Sequence, residues 1–284
     1  TDTVPWDGQA WTVDPLGADV RDGRLYGRGS ADMKGYIGLT VAQAAAFLQA
    51  DLPFAVHLAF SYDEEVGCFG VRHLIADLKE AGLAPRLCIV GEPTGMIPAI
   101  AHKGVHRWRY CVRGSVVCLT SLMGLAWGWN EHVHYSAAKA GVIGLMRGLA
   151  AEVAADGVRN NEPRQEGFDV PFSTAAVCVV QGGIADNVVP EDCRFHYEFR
   201  NLPGADEVAM QRLVAEHAAA LEPAMKAVDP TSGFRFEQTA SIPAFQVDPG
   251  DPAVQLAQRL AGVDRTTLVA FGTEAGLFQK AGIS

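Results

Sequence analysis

The chain has 284 residues, 49% of them apolar and 20% charged, and carries a net charge of −10. That length holds more than one buried core, and an acidic balance with no basic stripe excludes nucleic acid as a natural partner. No run of about 18 apolar residues occurs, so no transmembrane helix is expected, and no secretory leader is visible.

Taken in chain order, residues 25–29 (LYGRG) form a glycine-rich turn ahead of Asp32. Residues 38–48 are apolar and alanine-rich and predict a helix. Residues 54–61 (FAVHLAFS) predict a buried strand, with Glu64 and Glu65 just past its end. A helix follows over 70–81, stopped by Gly82. Residues 86–91 (RLCIVG) predict another short strand, again ending at an acid, Glu92. Strand, acid, helix, repeated, is the rhythm of an α/β fold with a mainly parallel sheet and its site at the carboxyl ends of the strands.

The rhythm then changes. Strands are predicted over 105–113, 172–181, 193–200 and 234–239, and helices over 134–155 and 205–225. That order, βαββαβ, is a ferredoxin-like unit inserted into the first domain. Residues 252–260 return to helix and 268–271 to strand. The six cysteines (Cys68, Cys88, Cys111, Cys118, Cys178, Cys193) show no C-x-x-C spacing. They read as reduced core thiols of a cytoplasmic protein.

Five acids stand out: Asp2 in TDTVP, Asp32 in GRGSADMKG, Glu64 and Glu65 in SYDEEVG, and Glu92 in VGEPTG. Taken singly, each reads as a turn or a solvated strand end. Together with AHKG, GGIADNVVPEDCRF, FRNLPG and FGTEAGLF, in this order, they make the chain similar to the M20 metallopeptidase and deacylase family. Within it, the likeness is greatest to the acetylornithine deacetylases. The resemblance implies two divalent metal ions, zinc or cobalt, and a small-molecule N-acyl amino acid as substrate. Two ions about 3.5–4 Å apart can share a water, polarise an amide carbonyl and stabilise the oxyanion. By resemblance Asp32 bridges the ions, Glu65 and Glu92 hold one each, Glu64 is the general base, and Asp2 orients a metal-bound histidine. Arg200 would grip the substrate carboxylate. Asn187 and His134 would reach the substrate from a lid that can also form a homodimer. Gly272, Thr273 and Glu274 match a glycine-rich loop near the site, and Lys103 a hinge. A cis peptide is expected after Asp32.

Two departures bear on activity. The family's two histidine ligands have no counterpart among the eight histidines present. One would lie two residues before Asp2 and the other beyond FGTEAG, so the expectation is a truncated design with weakly held metal and impaired turnover. The second departure is residues 114–161, which instead resemble a short-chain dehydrogenase/reductase, with Tyr135 and Lys139 as its Y-x-x-x-K pair. No glycine-rich dinucleotide turn accompanies them, which argues against a dehydrogenase. His134, Gly141 and Val142 keep the spacing of the family's lid helix, so the foreign-looking stretch sits in register with the element it replaces. The expected organisation is a catalytic domain of residues 1–103 and 247–284 and a lid or dimerisation domain of residues 104–246. A non-catalytic fragment or chimera is the alternative.

Overall fold

A computed structural model describes residues 2–113, 164–182 and 192–283. The expected helix over 134–155 and the foreign-looking stretch over 114–161 lie outside the described residues. The chain divides into two compact units, Thr1–His102 with Phe245–Ser284, and Lys103–Ala244. The sequence reading had set the two crossings one and two residues later.

The first unit opens with a hairpin, β1 (Asp19–Arg21) against β2 (Arg24–Tyr26). Asp22 and Gly23 make its turn at φ 50° and 72°, the left-handed pair that a tight hairpin needs. A π-turn, Ser30–Lys34, carries Asp32 and leads into α1 (Gly35–Gln49). The Asp32–Met33 peptide is cis. Helix α2 spans Phe69–Glu80. A three-stranded sheet then places β3 (Ala99–His102) between β8 (Phe245–Gln246), antiparallel, and β9 (Thr267–Val269), parallel. Two further helices close the unit, α4 (Pro252–Ala261) and α5 (Ala275–Lys280). Asp251 caps α4 by accepting from the Ala253 amide, with Pro252 in the first turn and Gly262 at φ 68° ending it.

The strands expected over 54–61 and 86–91 carry no sheet ladder among the described residues. Their apolar, β-branched and aromatic residues favour a pleated setting, but a ladder also needs a neighbour in register, and none pairs with them here. Phe54, Val56, Leu58 and Phe60 are exposed as a result. Helix α1 is apolar nearly all round, which ordinarily marks a helix enclosed on every side, yet none of its residues is buried. The three-stranded sheet of this unit is mixed, antiparallel at β8 and parallel at β9.

The second unit holds a four-stranded antiparallel sheet in the order β5-β6-β4-β7. Its strands are β4 (Val105–Arg113), β5 (Thr174–Gly182), β6 (Asp192–Arg200) and β7 (Gly233–Ile242). Helix α3 (Ala209–Val228) connects β6 to β7 and tolerates Pro223 in its interior. Alternation sorts the sheet's faces. Trp108 and Tyr110 of β4, Phe195, Tyr197 and Phe199 of β6 and Phe234 and Phe236 of β7 gather on one face with Met210 and Val214 of α3. Tyr110 stacks on Phe195 at 4.5 Å and meets Phe236 edge-on at 4.1 Å. Strand neighbours of opposite parity carry charge: Arg107 pairs with Glu198 at 2.8 Å, Arg200 with Glu198 at 2.6 Å, and Arg109 with Glu237 at 3.0 Å.

Candidate active site

The acids Glu64 and Glu65 sit on a wound turn, and the sequence dictates how it is held. Asp63 and Cys68 adopt left-handed backbone at φ 53° and 56°, and Gly67 takes φ 136°. These reversals let the chain close on itself through Gly67 and Cys68 amides to the Glu64 carbonyl, Phe69 to Asp63, and Gly70 to Tyr62, all at 3.0–3.1 Å. Gly70 is required there, because a Cβ would overlap the Tyr62 backbone. Asp2 closes the turn from outside: its carboxylate accepts from the Glu64 amide at 3.0 Å and the Glu65 amide at 3.2 Å. Partial burial works against the charge on Asp2, but the Glu64 and Glu65 amides outweigh it and hold this carboxyl below its usual range. Asp2, expected from the sequence to orient a metal-bound histidine, holds the backbone of Glu64 and Glu65.

Burial is the main force raising Glu64 to about 7; the Cys68 thiol, donating at 3.5 Å, opposes it, and Glu65, Glu274 and Asp32 add to it. Glu92 is also raised to about 7, by burial first and then by Glu64, Asp32, Glu274 and Glu65. Glu65 is shifted upward by burial, Asp32 and Asp2. Four of the acids that the sequence singled out, Asp32, Glu64, Glu65 and Glu92, thus feel one another's charge, and Asp2 is hydrogen-bonded to the same turn. Gly91 gives Glu92 its place, since the Tyr36 ring lies where a Cβ would stand.

Glu274 is the acid that sequence reasoning did not set among them. It is buried, only 9% exposed, at the start of α5. Ser61 donates to it at 2.5 Å. Burial shifts Glu274 upward against that hydrogen bond. Its charge in turn raises Glu64, Glu92 and the half-buried thiol of Cys88, the last reaching about 11 mainly through burial. The signal was present in FGTEAG, read as a glycine-rich loop near the site with no role given to the acid.

Arg200 belongs to the second unit and is engaged with Glu198. Burial disfavours charge on Glu198, but hydrogen bonds from Arg107 and Arg200 prevail and keep its carboxyl below the ordinary range. Asn187 and His134 lie outside the described residues. Among the described residues, no three His, Cys, Asp or Glu side chains converge so as to hold a metal ion. The donors that come near one another are carboxylates together with the Cys68 thiol, which donates to Glu64 Oε1 at 3.5 Å. Carboxylate oxygens are ligands that a divalent ion accepts.

A model of the peptidase family M20/M25/M40 matches residues 1–283. The chain belongs to the M20 family. The M20 match runs across residues 114–161, so a dehydrogenase origin for that stretch gains no support. An acetylornithine deacetylase from Myxococcus xanthus is 35% identical over 287 residues, covering 97% of this chain. The chain spans 66% of that relative's length. Among solved M20-like structures, a metallo-carboxypeptidase from Sulfolobus solfataricus superposes with a TM-score of 0.62 at 16% identity, covering 99% of this chain and 73% of its own. Human carnosine dipeptidase 1 does so with 0.57 at 16% identity, covering 100% and 70%. These likenesses establish the fold.

Proposed function

We propose that the chain hydrolyses the amide bond of an N-acyl amino acid, with Glu64 as general base. The observation that carries this reading is Glu64 itself: a half-buried carboxyl raised to about 7 on a turn braced by Asp2. A base of that strength is matched to neutral pH. Water attacks the acyl carbon while Glu64 takes its proton. The C–N bond then breaks, Glu64 returns the proton to the departing amine, and carboxylate and free amino acid result. The acetylornithine deacetylase at 35% identity supports an N-acetylated amino acid such as N-acetylornithine.

Asp32, Glu65 and Glu92 are the carboxylates we assign to two divalent ions, zinc or cobalt. Because no three donors converge among the described residues, we infer that such ions are loosely held and turnover is impaired. Arg200 on β6 is assigned to the substrate carboxylate, with Asn187 and His134 as further substrate contacts. The second unit is assigned as a βαββαβ lid hinged at Lys103 and able to form a homodimer. A reducing, cytoplasmic setting is proposed from six cysteines that show no C-x-x-C spacing. No helix among the described residues is long and apolar enough to cross a membrane.

Metal analysis and turnover test this together. The purified chain, equilibrated with zinc or cobalt, is expected to retain less than one ion and to deacetylate N-acetylornithine slowly, with both properties lost in Asp32→Ala. Deacetylation at rates normal for full-length relatives would overturn the impairment. The unconverged donors favour one second reading, a fold without catalysis. It prevails if no turnover is measured at any metal concentration.

A further inference from the structure

We propose that Ser61 and Glu274 form a clamp that sets the position of the turn carrying Glu64 and Glu65, making Glu274 a positioning residue for the reaction; this rests on the reading of Glu64 as base. The two residues lie 213 positions apart in sequence, yet the Ser61 hydroxyl donates to Glu274 Oε1 at 2.5 Å. Ser61 immediately precedes the turn, whose first internal link is the Gly70 amide to the Tyr62 carbonyl. Glu274 is a firm anchor. Its carbonyl accepts from the Leu277 and Phe278 amides, and both of those residues are buried. The next turn of backbone is fixed to β3, because the Gly276 amide donates to His102 Nε2 at 3.2 Å. Thr273 Oγ1 accepts from the Ala275 amide at 3.1 Å and holds the start of the helix.

The chain of contacts therefore runs from β3 through α5 to Ser61 and the acidic turn. Asp2 braces that turn at its middle and Ser61 at its entrance, so the turn is held at two points. A buried carboxylate placed near other acids raises the electrostatic cost of the cluster. The hydrogen bond it accepts from Ser61 is one that an apolar residue in its place cannot supply.

Hydrogen exchange on the metal-free chain tests the clamp without calling on catalysis. Amides of residues 61–68 are expected to exchange about tenfold faster in Ser61→Ala and Glu274→Ala, the loss of one hydrogen bond to a charged acceptor. Glu274→Gln keeps an acceptor oxygen and Ser61→Thr keeps the hydroxyl, so both should restore protection to within about threefold. In turnover, Ser61→Ala should lower kcat with KM unchanged, since the substrate's own contacts are untouched. Unchanged exchange at residues 61–68 in Ser61→Ala overturns the proposal. So does a rise spread evenly over the first unit, which would mean general loosening. If the parent chain shows no turnover, the assignment of Glu64 fails while exchange still decides the clamp.

Discussion

At the scale of single residues, the raised carboxyls make stability and activity run in opposite directions with pH. Glu64 and Glu92 each rise from an ordinary 4.5 to about 7 in the folded chain. Between those values the folded state binds more protons than the unfolded one, so their contribution is fullest below about 4.5 and is lost as pH rises through about 7. Melting temperature should therefore fall between pH 5 and 8 as far as these groups govern it, and Glu64→Gln with Glu92→Gln should flatten the profile. Asp2, held low, has the opposite sign: its contribution is present above its unfolded value and is lost in acid. With Glu64 as the proposed base, which must be ionised to act, kcat/KM for amide hydrolysis should climb about tenfold per unit up to roughly pH 7 and level off. Glu64→Gln should abolish it. Asp2→Ala removes an acceptor from two backbone amides and should cost about 1–2 kcal/mol in urea denaturation. The acids were legible because each sits beside small or turn-forming residues. The Ser61–Glu274 hydrogen bond was not, since no local pattern encodes a pairing across 213 positions.

At the scale of elements, the sequence was most informative where one segment settles its own conformation. Helix α2, expected over 70–81, spans Phe69–Glu80, and the strand expected over 105–113 is β4. Helix α3 starts later than 205 because Asp206 turns back to accept from the Val208 amide, and it runs on past Pro223 to Val228. The short strands β1, β2, β3 and β8 went unread: two to four residues hold too little alternation to be seen. Residues 54–61 and 86–91 show the converse, since an apolar run signals a strand's preferences but not its partner. Gly70→Ala should lose about 1–3 kcal/mol, because the added methyl meets the Tyr62 backbone in a turn with no slack; a shifted urea midpoint checks it. Leu39 and Leu48 of α1 are 70% and 88% exposed. Changing either to Lys should alter stability by no more than about 0.5 kcal/mol while reducing aggregation, read by light scattering.

At the scale of the molecule, the two units are unequal in how they are built. The second has an aromatic core between sheet and helix, centred on Tyr110, Tyr197, Phe199 and Met210. The first has a helix that buries nothing. Calorimetry should therefore resolve two transitions, the first unit melting at the lower temperature, as expected where domains carry separate cores. The charged face of the second unit's sheet carries a further consequence. If Arg200 receives the acid group of a substrate, it receives it in exchange, because Glu198 already occupies that guanidinium. Glu198 then behaves as a tethered competitor, and measured affinity is the difference between two carboxylates seeking one cation. An arriving anion must outbid a neighbour that never leaves.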